Sequence, residues 1–113
     1  MNIEIYSEKF FEDIKHITED GIEYWLAREL QKILGYKEWR NFLKVIEKAK
    51  TSVEATNIGV PDHFVDINKM VDIGSGTTRK IDDIMLTRYA CYLIVQNGDP
   101  RKKMIALGQQ SFA

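Results

Sequence analysis

Residues 86–103, Leu-Thr-Arg-Tyr-Ala-Cys-Tyr-Leu-Ile-Val-Gln-Asn-Gly-Asp-Pro-Arg-Lys-Lys, fit a helix start, a helix stop and a second helix start into one short stretch. Thr87 carries a hydroxyl suited to cap the first helix. Asn97-Gly98 suits its exit, because both residues tolerate the left-handed conformation found there. Asp99 is an N-cap residue for the next helix, with Pro100 at its first position, where a missing N–H costs nothing. Arg101, Lys102 and Lys103 then fall at the positive end of a helix dipole, which is unfavourable in isolation. Such a placement makes sense where an anion docks against free backbone N–H groups.

Around this stretch, 113 residues predict one domain, able to bury roughly two-thirds of its unfolded surface. Sixteen Lys and Arg against seventeen Asp and Glu give a net charge of −1. A uniformly basic nucleic-acid binder is excluded, so any binding of a polyanion must come from charge segregation. The single cysteine, Cys91, excludes an internal disulfide and a cysteine-only zinc site. No apolar run has transmembrane length and no secretory signal is visible, which predicts a cytoplasmic protein with no membrane partner.

The coarse pattern is α+β: a small antiparallel sheet with four or five packed helices. Residues 1–6 alternate as a short strand. Ser7 opens a first helix with Phe10, Phe11, Ile14 and Ile17 on one face, or else part of this segment is the first arm of a hairpin. Asp20-Gly21 suits a tight turn, with Ile22 to Trp25 returning. Ala27 to Leu34 reads as a helix ended by Gly35, and Lys37 to Lys50 as a second one. Residues 51–61 read as a loop. Phe64–Ile73 and Arg79–Met85 read as strands around a long flexible turn at Gly74-Ser75-Gly76-Thr77-Thr78.

Three basic clusters are candidate phosphate contacts. On helix 37–50, at about 100° per residue, Lys37, Arg40, Lys44 and Lys48 share one stripe with Asn41 beside it, opposite Trp39, Phe42, Leu43, Ile46 and Ala49. Cations at that spacing repel mildly, and a polyanion relieves the repulsion while releasing counterions. Arg79 and Lys80 close the hairpin tip, where a guanidinium and hydroxyls suit phosphate. Arg101, Lys102 and Lys103 form the third cluster, with Arg88 in the same relative place one helix earlier. The alternative for each is a solvated face. The two helices around Gly35-Tyr36 do not fit a standard helix-turn-helix, since Asn41 and Lys44 fall where buried aliphatics are expected. Of the aromatics, most sit at core spacing, and Tyr36 is the one placed to stack a base.

An enzyme is not predicted. Cys91 lies among apolar neighbours, His16 and His63 lack spaced partners, and Asp62, Asp66, Asp72, Asp82 and Asp83 lack the spacing of a nuclease motif. No phosphate loop or dinucleotide fingerprint is present, so neither cofactor nor metal is expected.

The stretch from Leu86 to Lys102 resembles the signature of the DNA-damage-inducible protein D family, whose N-terminal part belongs with the Bro-N domains of viral Bro proteins and phage antirepressors. Glu23-Tyr24-Trp25-Leu26-Ala27-Arg28-Glu29-Leu30, Leu34-Gly35-Tyr36, Trp39, Asn41-Phe42, Val45-Ile46 and Lys48-Ala49 carry the same resemblance. It implies a DNA-binding module of a bacterial or phage-derived protein acting in the DNA-damage (SOS) response, and an N-terminal piece of a longer chain. Strand preference and oligomeric state stay open. The second reading that it allows is a protein-interaction module that modulates recombination or repair proteins.

Overall fold

The computed structural model describes residues 9–55 and 60–111. In chain order these form a helical segment at 9–13 (α1), β1 (His16–Ile17), β2 (Glu23–Leu26), α2 (Ala27–Ile33), α3 (Trp39–Glu54), α4 (Val60–His63), β3 (Phe64–Gly74), β4 (Thr77–Leu86), α5 (Arg88–Gln96) and α6 (Lys103–Ser111). The sheet is antiparallel throughout, in the order β1-β2-β4-β3. The fold is α+β, as the sequence predicts. The expected strand at 1–6 and the Ser7 cap lie outside the described residues.

The Asp20-Gly21 turn closes a short hairpin. Gly21 takes φ 83°, and its N–H donates to Thr18 O at 2.9 Å while Thr18 N–H donates to Ile22 O at 2.9 Å. Ile17 therefore sits in β1 and is 62% exposed, not on a helix face with Phe10 and Phe11. The alternation of the hairpin overrides the helical spacing there.

Two further expectations are corrected along α3. Lys37 precedes the helix, whose flanking residue Glu38 is extended at φ −108°. Lys37 thus leaves the stripe assigned to it. At the other end the helix continues past Lys50 to Glu54. Val53 extends the buried stripe of Phe42, Val45, Ile46 and Ala49, and the hydroxyls of Thr51 and Ser52 bond back to Glu47 O and Lys48 O. The packing of that stripe outweighs the weak helix propensity of Thr-Ser.

The turn between β3 and β4 is tight rather than long. Ser75 (φ 54°) and Gly76 (φ 74°) are its two central residues, the pattern that a two-residue hairpin turn requires. Thr77 and Thr78 belong to β4, and a bulge at Ile73 precedes the turn. Ten paired residues make an arm about 33 Å long, of which only the end nearest Phe64, Ile84 and Leu86 is buried.

The core lies between the sheet and α2, α3, α5 and α6. Trp25 is fully buried, stacks on Phe11 at 4.4 Å and donates Nε1–H to Phe11 O at 2.9 Å. Asp83 is the buried charge among the described residues. Its Oδ1 accepts from the N–H of Arg28 at 3.0 Å and of Ile84 at 2.8 Å, and its Oδ2 lies 3.0 Å from Lys69 Nζ. α5 begins as expected, with Thr87 Oγ1 accepting from Ala90 N–H at 3.1 Å.

The start of α6 differs from expectation. Asp99 Oδ1 accepts from Arg101 N–H at 2.9 Å, and Lys102 N–H closes a turn on Asp99 O at 3.0 Å. Asp99 and Pro100 are therefore spent on a turn, and the helix opens at Lys103. Arg101 and Lys102 precede α6 rather than lying in its first turn.

Candidate nucleic-acid interface

The cations of this chain fall into three groups, of which Arg28 and Lys102, held by backbone carbonyls and aromatic rings, are the smallest. Lys9, Lys15, Lys50, Lys69, Arg88 and Arg101 each have a carboxylate within 4.0 Å. Lys32, Lys37, Arg40, Lys44, Lys48, Arg79, Lys80 and Lys103 have none among the described residues. The unpaired group lies on the end of α2, the α2–α3 loop, the outer face of α3, the hairpin arm and the start of α6.

Around Arg40, Asn41, Lys44 and Lys48, all exposed, α3 presents its basic face because Phe42, Val45, Ile46 and Ala49 on the opposite side are buried. Asn41, Lys44 and Lys48 border an open cleft of about 410 Å³ whose far wall is the turn Asn97-Gly98-Asp99-Pro100-Arg101. Tyr36 fixes that wall, its hydroxyl accepting from Asp99 N–H at 3.0 Å. Asn41, Lys44 and Lys48 and the α5–α6 turn, some fifty residues apart in sequence, therefore border one cleft.

Two members of the third cluster do not stand free at this site. Arg101 forks onto Asp99, with Nε and Nη2 at 3.0 Å from Oδ1 and Oδ2. Hydrogen bonding by Arg101 holds the Asp99 carboxyl below its ordinary range. Lys102 donates to Gly35 O at 2.9 Å and lies over the Tyr36 ring at 4.7 Å. It caps the exit of α2, where a cation is favourable. Lys103 is exposed. Arg88 is a structural tie as well: it binds Glu23 at 2.7 Å and Glu12 at 2.9 Å and lies over Trp25.

Lys37 opens onto a different cleft, of about 440 Å³, together with Arg28, Lys32, Lys69 and Trp39. Local sequence pattern does not single out Arg28, Lys32 and Lys69, because α2 reads only as a core-packing helix and Lys69 only as a strand residue. Arg79 and Lys80, being consecutive strand residues, point to opposite faces of the arm. They do not act as one cluster.

Tyr36 is 8% exposed and packs against Phe42 at 5.2 Å, so it is an anchor and not a stacking platform. Asp66, Asn68, Asp82 and Asp83 line a third cleft beside Trp39 and Leu43. It borders α3 with acidic rather than basic groups. No group of three His, Cys, Asp or Glu among the described residues is arranged to hold a metal ion. His16 pairs with Glu29, and His63 Nδ1 lies 2.7 Å from the Thr87 hydroxyl. Cys91 is fully buried, and burial pushes its thiol well above the ordinary value. Among the described residues, no helix is long and apolar enough to cross a membrane.

Residues 13–108 match the BRO family, N-terminal domain. The chain is 52% identical over 103 residues to DNA damage-inducible protein D of Escherichia coli (strain K12), a match covering 91% of this chain and 38% of the relative's length. No solved structure matches. The match runs from the first hairpin into α6, and so includes both the α3 face and the α5–α6 turn. This chain belongs to the BRO family as a member of its N-terminal domain.

Proposed function

We propose that this domain binds DNA in a DNA-damage response, gripping phosphates through Arg40, Lys44 and Lys48, with Asn41 beside them. The observation that carries this reading is the row of unpaired cations on α3, beside a cleft closed by the α5–α6 turn. A row of like charge with no carboxylate partner among the described residues is relieved by a polyanion. The relative's name, DNA damage-inducible protein D, supports the response.

Binding is weak and salt-sensitive on this account, since the total charge is slightly negative. Polarisation of a labelled oligonucleotide, titrated at several salt concentrations, tests it. Arg40→Ala with Lys44→Ala flattens the slope of log K against log salt by about 2, near 0.9 per lost phosphate contact. An unchanged slope refutes the site.

One observation favours a second reading, a module that docks a recombination or repair protein. The edge strand β3 exposes Val65, Met70 and Ile73, and apolar edge strands recruit protein partners. Met70→Lys leaves oligonucleotide binding intact if DNA is the ligand, and abolishes capture of the partner if a protein is.

A further inference from the structure

The cleft that holds Lys37 continues along the hairpin arm. Lys69, Val71 and Ile81 line it. In the β3–β4 ladder Lys69 faces Ile81, and Val71 faces Arg79. Directly opposed residues share a face of the sheet, so Arg79 lies on the same face as the cleft, one rung nearer the tip. Lys80, opposite Met70, lies on the other face. A cationic track therefore runs from Lys32 and Lys37 past Lys69 to Arg79.

Part of this track is fixed in place. Arg28 lies over the Trp39 ring at 4.2 Å and donates Nε–H to Asp82 O. Lys69 is held by the buried Asp83. Lys32, Lys37 and Arg79 are exposed and have no carboxylate among the described residues. Glu29, the acid in this cleft, is engaged by His16.

The two clefts flank α3. At about 100° per residue, Asn41, Lys44 and Lys48 lie to one side of Arg40 and Trp39 to the other. The first cleft takes the former and the second takes Trp39. Further along the Trp39 side the helix borders Asp66 and Asp82 beside Leu43, groups that repel phosphate. Lys50, further along that side, is paired with Glu47, so cations without a carboxylate among the described residues flank both sides of the helix only at its N-terminal end.

From this arrangement, and resting on the DNA-binding reading above, we infer that Lys32, Lys37 and Arg79 hold a second phosphate backbone, so that the ligand is duplex DNA straddling the N-terminal half of α3. A ridge with a cationic cleft on each side matches a groove bounded by two backbones, with the start of the helix nearest the base edges. A lone strand occupies one cleft and leaves the other solvated.

The test is polarisation with a labelled duplex and the corresponding single strand, each titrated across salt. It compares the unaltered chain with Lys32→Ala/Lys37→Ala/Arg79→Ala and with Lys44→Ala/Lys48→Ala. All five side chains are exposed, and a thermal melt by circular dichroism confirms that each variant folds. The triple variant is expected to lose at least about tenfold in duplex affinity and to flatten the duplex salt slope by nearly 3, with less than a twofold change for the single strand. The double variant is expected to weaken both ligands. A triple variant with unchanged duplex binding, beside a weakened double variant, overturns the second backbone site and leaves the first reading standing. Equal losses on both ligands overturn the duplex assignment. Unchanged binding in both variants overturns the DNA-binding reading itself.

Discussion

The hydroxyl of Tyr36 accepts the backbone N–H of Asp99 at 3.0 Å, joining the α2–α3 loop to the turn that precedes α6. This bond sets the far wall of the cleft beside Lys44 and Lys48. Tyr36→Phe keeps the ring packed on Phe42 and removes the acceptor. The expected cost is about 1 kcal/mol, read as a lower urea midpoint with an unchanged m-value. The same variant weakens oligonucleotide binding, because the turn is no longer held against α3. Unaltered stability and binding would show that the wall is set by other contacts.

Asp83 joins α2 to β4 from inside the fold. Asp83→Ala strands the N–H of Arg28 and leaves Lys69 without its carboxylate. Lys69 is one-third exposed and turns to water, so the lost acceptor dominates and the expected destabilisation is about 2 kcal/mol. Equilibrium unfolding in urea checks this. Lys69→Met is the more damaging partner change if the buried carboxylate needs its cation.

Acid sensitivity is predicted at Arg88. Its hydrogen bonds hold Glu23 below the ordinary glutamate range, and Lys15 together with Arg88 does the same for Glu12. Carboxyls depressed in the folded state contribute stability above their unfolded value, and lose it as pH falls through the folded value. These pairs are about two-fifths exposed, so the contribution is under about 1 kcal/mol. Arg88→Gln lowers the urea midpoint at pH 7 and narrows the difference between pH 7 and pH 3. An undiminished pH difference in the variant would contradict the assignment.

α5 and α6 meet at a glycine that has no room for a methyl group. A Cβ on Gly108 would stand 2.7 Å from Val95 Cγ1. Val95 is β-branched and stiff at χ1, so Gly108→Ala is expected to lower stability by about 1–3 kcal/mol. Val95→Ala in the same chain removes the clash. The double variant should therefore cost less than the sum of the single changes, as a thermodynamic cycle would show.

Much of the fold can be read from local chemistry. Thr87 caps α5, Gly35 ends α2 at φ 84°, and Asp20-Gly21 turns the first hairpin. In each case the residue type meets a requirement set by its immediate neighbours. The errors arise where a distant group competes. Asp99 reads as a helix cap, but its carboxylate goes to Arg101 and its N–H to Tyr36. Lys102 reads as an anion ligand, but the exit of α2 claims it. For the site itself, the α3 row is legible as periodicity. Its pairing with the α5–α6 turn, and the grouping of Lys32, Lys37 and Lys69, depend on how α2, α3 and the sheet pack, which no local pattern encodes.

On the proposed function, a nearly neutral domain meets DNA through the outer face of α3. The most direct measurement is a two-dimensional amide NMR titration of the ¹⁵N-labelled chain with a short DNA duplex. Shifts are expected to concentrate at Arg40, Asn41, Lys44, Lys48, Gly98 and Arg101 and to recede as salt is added. Shifts confined to Asp66, Asn68 and the β3 edge at Val65, Met70 and Ile73, or shifts indifferent to salt, would contradict it.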